Sequence, residues 1–149
     1  MSEPCTVYGC IEGAYRFRDF VLYAKNKEAV DTLPEEDTWP PLDRAMFGVP
    51  MPLSRAKPGF YRIQMIHFGT CINHFDLYWA DWLQKFETLL TQMYWYKAHI
   101  HLDLSGSALG NYEYLWKVED NDTYKGFHLD PPLPVNKWTF VGGPRTFTL

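Results

Sequence analysis

Residues 75–104 read FDLYWADWLQKFETLLTQMYWYKAHIHLDL, and a change in the spacing of their apolar residues decides the fold. In the first part, apolar residues recur at intervals of three and four, the spacing of one face of an α-helix; they are Phe75, Trp79, Trp82, Phe86, Leu89 and Met93. Asn73 is placed to cap this helix, and Asp81 and Lys85 are spaced as an i,i+4 ion pair on its polar side. We therefore predict an amphipathic helix that lies on a sheet.

Beyond the helix the period becomes two, which is typical of strands with one buried face. Residues 94–104 alternate, with Trp95, Lys97, His99, His101 and Asp103 on the polar side, and residues 112–118 repeat the pattern. Shorter strands are predicted over 5–12, 60–68 and 137–141. The sequence thus predicts an α+β fold: an antiparallel sheet of about five to six strands, with one long amphipathic helix packed on one face and the other face open. The strands after the helix have short connections and are expected to pair as a meander.

Two stretches fit this scheme less directly. Residues 14–33 combine strand-like alternation with helix-forming NKEAVDTL, so both structures remain open there. Residues 31–59 contain six of the eleven prolines and predict an irregular excursion, because proline fixes φ and lacks an N–H. Trp39, Leu42, Met46 and Phe47 give this excursion apolar anchors, so we interpret 1–149 as a single domain that includes it.

Composition narrows the function classes. The 149 residues are 46% hydrophobic and 17% aromatic, enough for one packed core, and the net charge of -4 argues against a nucleic-acid partner. Three cysteines without a CxxC pair indicate reduced thiols, and neither a signal segment nor a membrane span is apparent. We expect a cytoplasmic protein without a cofactor. Near the C-terminus, Arg145 is expected to fold back on a carboxylate.

The open face of the sheet is a candidate metal or small-ligand site. If neighbouring hairpins keep like faces together, His99, His101 and Asp103 lie near Glu113 and Lys117 of the next strand, and near His128 and Asp130 of a third. Two histidines and a carboxylate can hold a catalytic metal. The alternative interpretation is an ordinary solvated face. No nucleophile motif accompanies these residues.

Acidic residues concentrate in two segments, 28–43 and 103–130. An acidic surface beside exposed aromatics suits an inhibitor that meets a basic partner, because it steers association and blocks the partner's site. The candidate partner-binding residues are Glu35, Glu36, Asp37, Trp39, Trp95, Glu113, Glu119, Asp120 and Asp122. Trp39 and Trp95 are the candidate anchors.

The succession of YGCIEG, WPPLDRAMFGVP, FYRIQMIHFGT, WLQKFETLL, YWYKAHIHLDLSG and KWTFVGGPRTF is similar to bacterial single-domain proteins of the kind found as immunity proteins beside secreted toxins. The resemblance implies a non-enzymatic protein that binds and inhibits a cognate toxin. We carry three hypotheses forward: this immunity-type inhibitor, a metal-dependent enzyme or small-ligand protein using His99, His101, Asp103 and His128, and a homodimer formed through the open face.

Overall fold

The computed structural model describes residues 4–13, 19–50, 64–104, 109–118 and 133–147. Within these ranges the chain forms one six-stranded antiparallel sheet and two α-helices, which confirms the predicted α+β class. The strands are β1 (Pro4–Gly13), β2 (Phe47–Gly48), β3 (Met65–Asn73), β4 (Trp95–Leu104), β5 (Gly110–Lys117) and β6 (Thr139–Gly142). The helices are α1 (Asp19–Asp31) and α2 (Trp79–Leu90).

The strand order is β2-β3-β1-β4-β5-β6, which places the strands described after α2 in chain order. Strand β1 lies in the middle of the sheet, where it pairs with β3 on one side and β4 on the other. Strand β3 also begins and ends later than the predicted 60–68, of which 60–63 lie outside the described residues. Within the described residues, β4, β5 and β6 form a meander, whereas β1, β2 and β3 do not pair in chain order.

Helix α2 covers one face of the sheet with the predicted apolar stripe. Its Trp82 and Phe86 are fully buried, and the ring of Phe86 contacts Phe68 of β3 and Trp116 of β5. The helix is shorter than predicted, because residues 75–78 form a 3-10 turn before it. Asn73 belongs to β3 rather than capping the helix, and His74 makes the turn with a φ of 60°.

The uncertain stretch 14–33 contains α1, while residues 14–18 lie outside the described part. Helix α1 contributes Leu22, Ala29 and Val30 to the core that α2 and the sheet share. Its buried Asn26 donates to Gln64 Oε1 (3.0 Å) and to the carbonyl of Tyr94 (2.9 Å). Asn26 also accepts from the Tyr94 amide at 2.7 Å. These three hydrogen bonds hold α1 beside the N-terminal ends of β3 and β4.

A bulge corrects one predicted orientation. Glu12 pairs with Lys97, but Gly13 pairs with Trp95, so Tyr96 is an extra residue in β4. The extra residue reverses the alternation at the start of the strand. Trp95 is consequently 0% exposed, and its indole donates to the Leu90 carbonyl at 2.9 Å. It points into the core, not to the polar side, and cannot serve as a surface anchor.

The C-terminal segment closes against α2 as predicted. Arg145 forms an ion pair with Glu87 of α2, and its guanidinium lies 4.9 Å from the centre of the Phe140 ring. Tyr114 donates to the Pro144 carbonyl at 2.5 Å. Neither helix in the described part of the chain has the length and apolar character needed to cross a membrane.

Candidate functional sites

Two histidines and one glutamate converge on the face of the sheet opposite α2, which we call the open face. Register places His101 directly across from Glu113, with His99 two residues earlier on the same side of β4. His99 Nε2 and His101 Nδ1 each bond a different oxygen of the Glu113 carboxylate. The other ring nitrogen of His101 lies 3.0 Å from Asn111 Oδ1. The expected neighbourhood of His99, His101 and Glu113 is therefore present.

This arrangement favours a protonated imidazole beside an ionised carboxylate. The hydrogen bond to Glu113 raises the pKa of His101, against the opposing effect of partial burial. Partial burial acts to raise the pKa of Glu113, but the hydrogen bonds from His101 and His99 hold it below its ordinary value. The Tyr8 ring of β1 stacks on His101 at 4.8 Å between centroids.

Beside this cluster lies a cavity of about 370 Å³ lined by Cys10, Glu12, Lys97, His99 and Leu115. Burial raises the pKa of the Cys10 thiol, and the Glu12 carboxylate raises it further, against an opposing effect of Lys97. A thiol with a raised pKa is a weak nucleophile, because the thiolate is the reactive form. Burial and Glu12 therefore disfavour the reactive thiolate of Cys10.

The described residues do not support the predicted metal site. They contain no group of three or more His, Cys, Asp and Glu side chains placed to hold a metal ion. Asp103 pairs in register with Asn111, and Lys117 lies across from Lys97. His128 and Asp130 lie outside the described residues. Beside β5, the place expected for their strand is taken by β6.

A second candidate site lies on the other side of the sheet, where the proline-rich excursion meets α2. Lys85 of α2 donates to Asp37 Oδ2 (2.8 Å) and to the carbonyls of Thr38 (2.9 Å) and Pro40 (2.8 Å). The Trp82 indole donates to the Pro41 carbonyl at 2.9 Å. These four bonds attach the excursion to the helix. Lys85 therefore pairs with Asp37, and the expected pair with Asp81 does not form.

Asp37 is the acceptor at the centre of this attachment. Its two oxygens also accept from the amides of Thr38 (2.9 Å) and Leu42 (3.0 Å). Partial burial acts to raise the pKa of Asp37, but the bonds from Lys85, Leu42 and Thr38 outweigh it and lower the pKa. Asp37 thus has a structural role, because it stabilises the excursion.

The attached excursion presents Trp39, which is 50% exposed. Its ring meets Tyr78 edge-on at 5.7 Å, and Leu77 beside Tyr78 is also exposed. We call Trp39, Leu77 and Tyr78 the Trp39 patch. Glu35 and Glu36, both exposed, precede Trp39 in the same loop, and Glu35 lies 3.5 Å from Arg44. The structure thus joins an exposed aromatic group to nearby carboxylates.

The predicted partner-binding residues do not form one surface. Glu35, Glu36 and Trp39 lie with the excursion, whereas Glu113 lies on the open face, with the sheet between them. Glu119, Asp120 and Asp122 lie outside the described residues, and Trp95 is buried. Leu77 and Tyr78 were not among the candidates, because the helical stripe gave no sign of the 3-10 turn that carries them.

A cleft of about 550 Å³ separates the excursion from the polar side of α2. The excursion contributes Pro34, Trp39 and Leu42 to it, and the helix contributes Asp81 and Lys85 among others.

Comparison of the chain with protein-family models, with curated proteins and with solved structures gave no match.

Proposed function

We propose that the protein is an immunity-type inhibitor that captures a basic protein toxin through the Trp39 patch and the carboxylates beside it. The observation that carries the proposal is the half-exposed Trp39, presented on a loop that Lys85 and Trp82 hold to α2. Tryptophan is one of the residues enriched among the energetic anchors of interfaces, where it fills a pocket of the partner. The proposal includes a bacterial source and a cytoplasmic location for the protein.

The attachment of the loop supports a binding role on energetic grounds. A loop that is ordered before association loses less conformational entropy on binding, so more of the contact energy appears as affinity. The acidic residues Glu35, Glu36 and Asp81 supply a negative potential that speeds encounter with a basic surface.

The test is co-expression with the toxin-like product of the adjacent gene. The wild-type chain should protect cells and co-purify with that product, and Trp39→Ala should weaken both. Tyr8→Ala is the matched control, because Tyr8 is equally exposed but lies on the open face. Absence of a complex and of protection, or equal losses for the two variants, contradicts the proposal.

A second candidate is a small-ligand or metal-dependent site on the open face, favoured by the convergence of His99 and His101 on Glu113. It predicts bound transition metal in the purified protein, or a rise in melting temperature with added zinc, manganese or nickel. His101→Ala should remove either effect. A metal-free protein whose melting temperature does not respond to these ions excludes the metal-dependent form.

A further inference from the structure

Asp81 does not form the ion pair with Lys85 that its spacing predicts. The side chain is exposed at the first turn of α2, and within the described residues no hydrogen bond or ion pair involves it. The reason is the position of Lys85, whose three N–H groups already serve Asp37, Thr38 and Pro40. An ammonium has only three donors, so none remains for Asp81.

Asp81 lines the cleft between α2 and the loop that carries Trp39. Asp81 and Lys85 are four residues apart and share one side of α2, and Tyr78, the last residue of the 3-10 turn, comes three residues before Asp81. The loop touches both neighbours, since the Trp39 ring meets Tyr78 and the Pro40 carbonyl accepts from Lys85. Trp39 and Asp81 accordingly line the same cleft.

The cleft has the chemistry of a cation site. Asp37 and Lys85 neutralise each other, which leaves Asp81 as the uncompensated charge of the lining. An aromatic ring and a carboxylate that line one cleft suit guanidinium better than ammonium, because the planar group can stack on a ring while its N–H fork bonds both carboxylate oxygens. A volume of about 550 Å³ admits one such side chain with solvent.

We propose that this cleft receives an arginine side chain of the basic partner, stacked on Trp39 and paired with Asp81. The inference rests on the proposed function for the identity of the partner, but the site can be tested without it. The probe is N-acetyl-arginine amide, followed by amide and indole chemical shifts in two-dimensional NMR of the whole chain.

Addition of the probe should shift the Trp39 indole N–H and the amides around Asp81. The neutral isostere N-acetyl-citrulline amide should bind far more weakly, and N-acetyl-lysine amide should fall between the two. Asp81→Asn should weaken arginine binding by roughly tenfold, the usual effect of losing one charge-assisted contact. Asp76→Asn is the matched control, because it removes the same charge from the preceding turn, outside the cleft.

Equal binding of the citrulline probe overturns the proposal, as does an Asp81→Asn variant that behaves like Asp76→Asn, or shifts that map to the open face. Both aspartates are at least partly exposed, so both variants should fold.

The outcomes distinguish failure of the arginine site from failure of the proposed inhibitor function. If Trp39→Ala abolishes protection but Asp81→Asn leaves partner binding and probe binding intact, the inhibitor remains and the arginine site is excluded. If the probe binds at Asp81 but the toxin is not bound, the site remains and the inhibitor is excluded.

Discussion

At the scale of single residues, Gly9 shows how closely the central strand is packed. A Cβ built on Gly9 overlaps the carbonyl oxygen of His99 and lies 2.8 Å from Phe68 Cζ. Both obstacles belong to neighbouring strands, and one of them is backbone. The absence of a side chain therefore lets Phe68 pack across β1.

Gly9→Ala should destabilise the fold by about 1–3 kcal/mol, the usual range for overpacking a core position. Gly48→Ala is the control, because the nearest atom to its added Cβ is the His67 carbonyl oxygen at 3.9 Å. Urea unfolding of the two variants measures the difference. Equal stabilities would show that β1 and β4 can separate without loss.

The His101–Glu113 pair makes stability depend on pH. Because the fold raises the pKa of His101, this histidine's contribution is complete below its unfolded value of about 6.5 and is lost as pH rises through the folded pKa. Because the fold lowers the pKa of Glu113, that group's contribution is complete above its unfolded value of about 4.3 and is lost as pH falls through the folded pKa. The pair therefore contributes most between about pH 4.3 and 6.5.

Glu113→Gln should accordingly lose more stability at about pH 5.5 than at about pH 9, because the contribution of His101 is lost as pH rises through its folded pKa. The His101 pKa, followed by NMR of the ring protons, should fall in this variant. Glu28→Gln removes an exposed carboxylate from α1 and should change neither measurement. A Glu113→Gln loss of stability that is the same at both pH values would contradict the assignment.

At the scale of elements, Lys85 joins α2 to the excursion. Lys85→Ala removes three hydrogen bonds and leaves Asp37 without its cation, so we expect a loss of about 1–3 kcal/mol. Lys27→Ala breaks an exposed pair with Asp31 and should cost less than about 0.5 kcal/mol. Amide exchange at Thr38 and Leu42 should accelerate in Lys85→Ala alone. Unchanged exchange would mean that Trp82 suffices to hold the loop.

The elements that are predicted well are those whose apolar residues recur with the period of a helix or of a strand. The stripe of α2 and the alternation of β4 and β5 each follow from burial of one face, so their residues reveal them. The central place of β1, the bulge at Tyr96 and the pairing of Lys85 depend on partners distant in sequence. For this reason Trp95 and the Asp81 ion pair were placed wrongly, whereas the His101–Glu113 neighbours were placed correctly.

At the scale of the whole molecule, a net charge of -4 should show in association kinetics. Screening shortens the range of charge interactions from about 10 Å at 0.1 M salt to about 3 Å at 1 M. The association rate with a basic partner should therefore fall by roughly tenfold or more across this range, while the dissociation rate changes less. Stopped-flow mixing measures both. An association rate independent of salt would exclude charge steering.

The stacked indoles of Trp79 and Trp82 have an optical consequence. Their ring centres are 5.3 Å apart and their planes differ by 8°, in a fully buried setting. Chromophores this close couple their electronic transitions, and when the two transition dipoles are rotated relative to each other within the stacked planes, the far-ultraviolet circular dichroism contains an exciton couplet on top of the backbone signal. Trp82→Phe should remove that couplet, and Trp116→Phe should leave it. The couplet would report the loss of side-chain packing independently of the loss of helix.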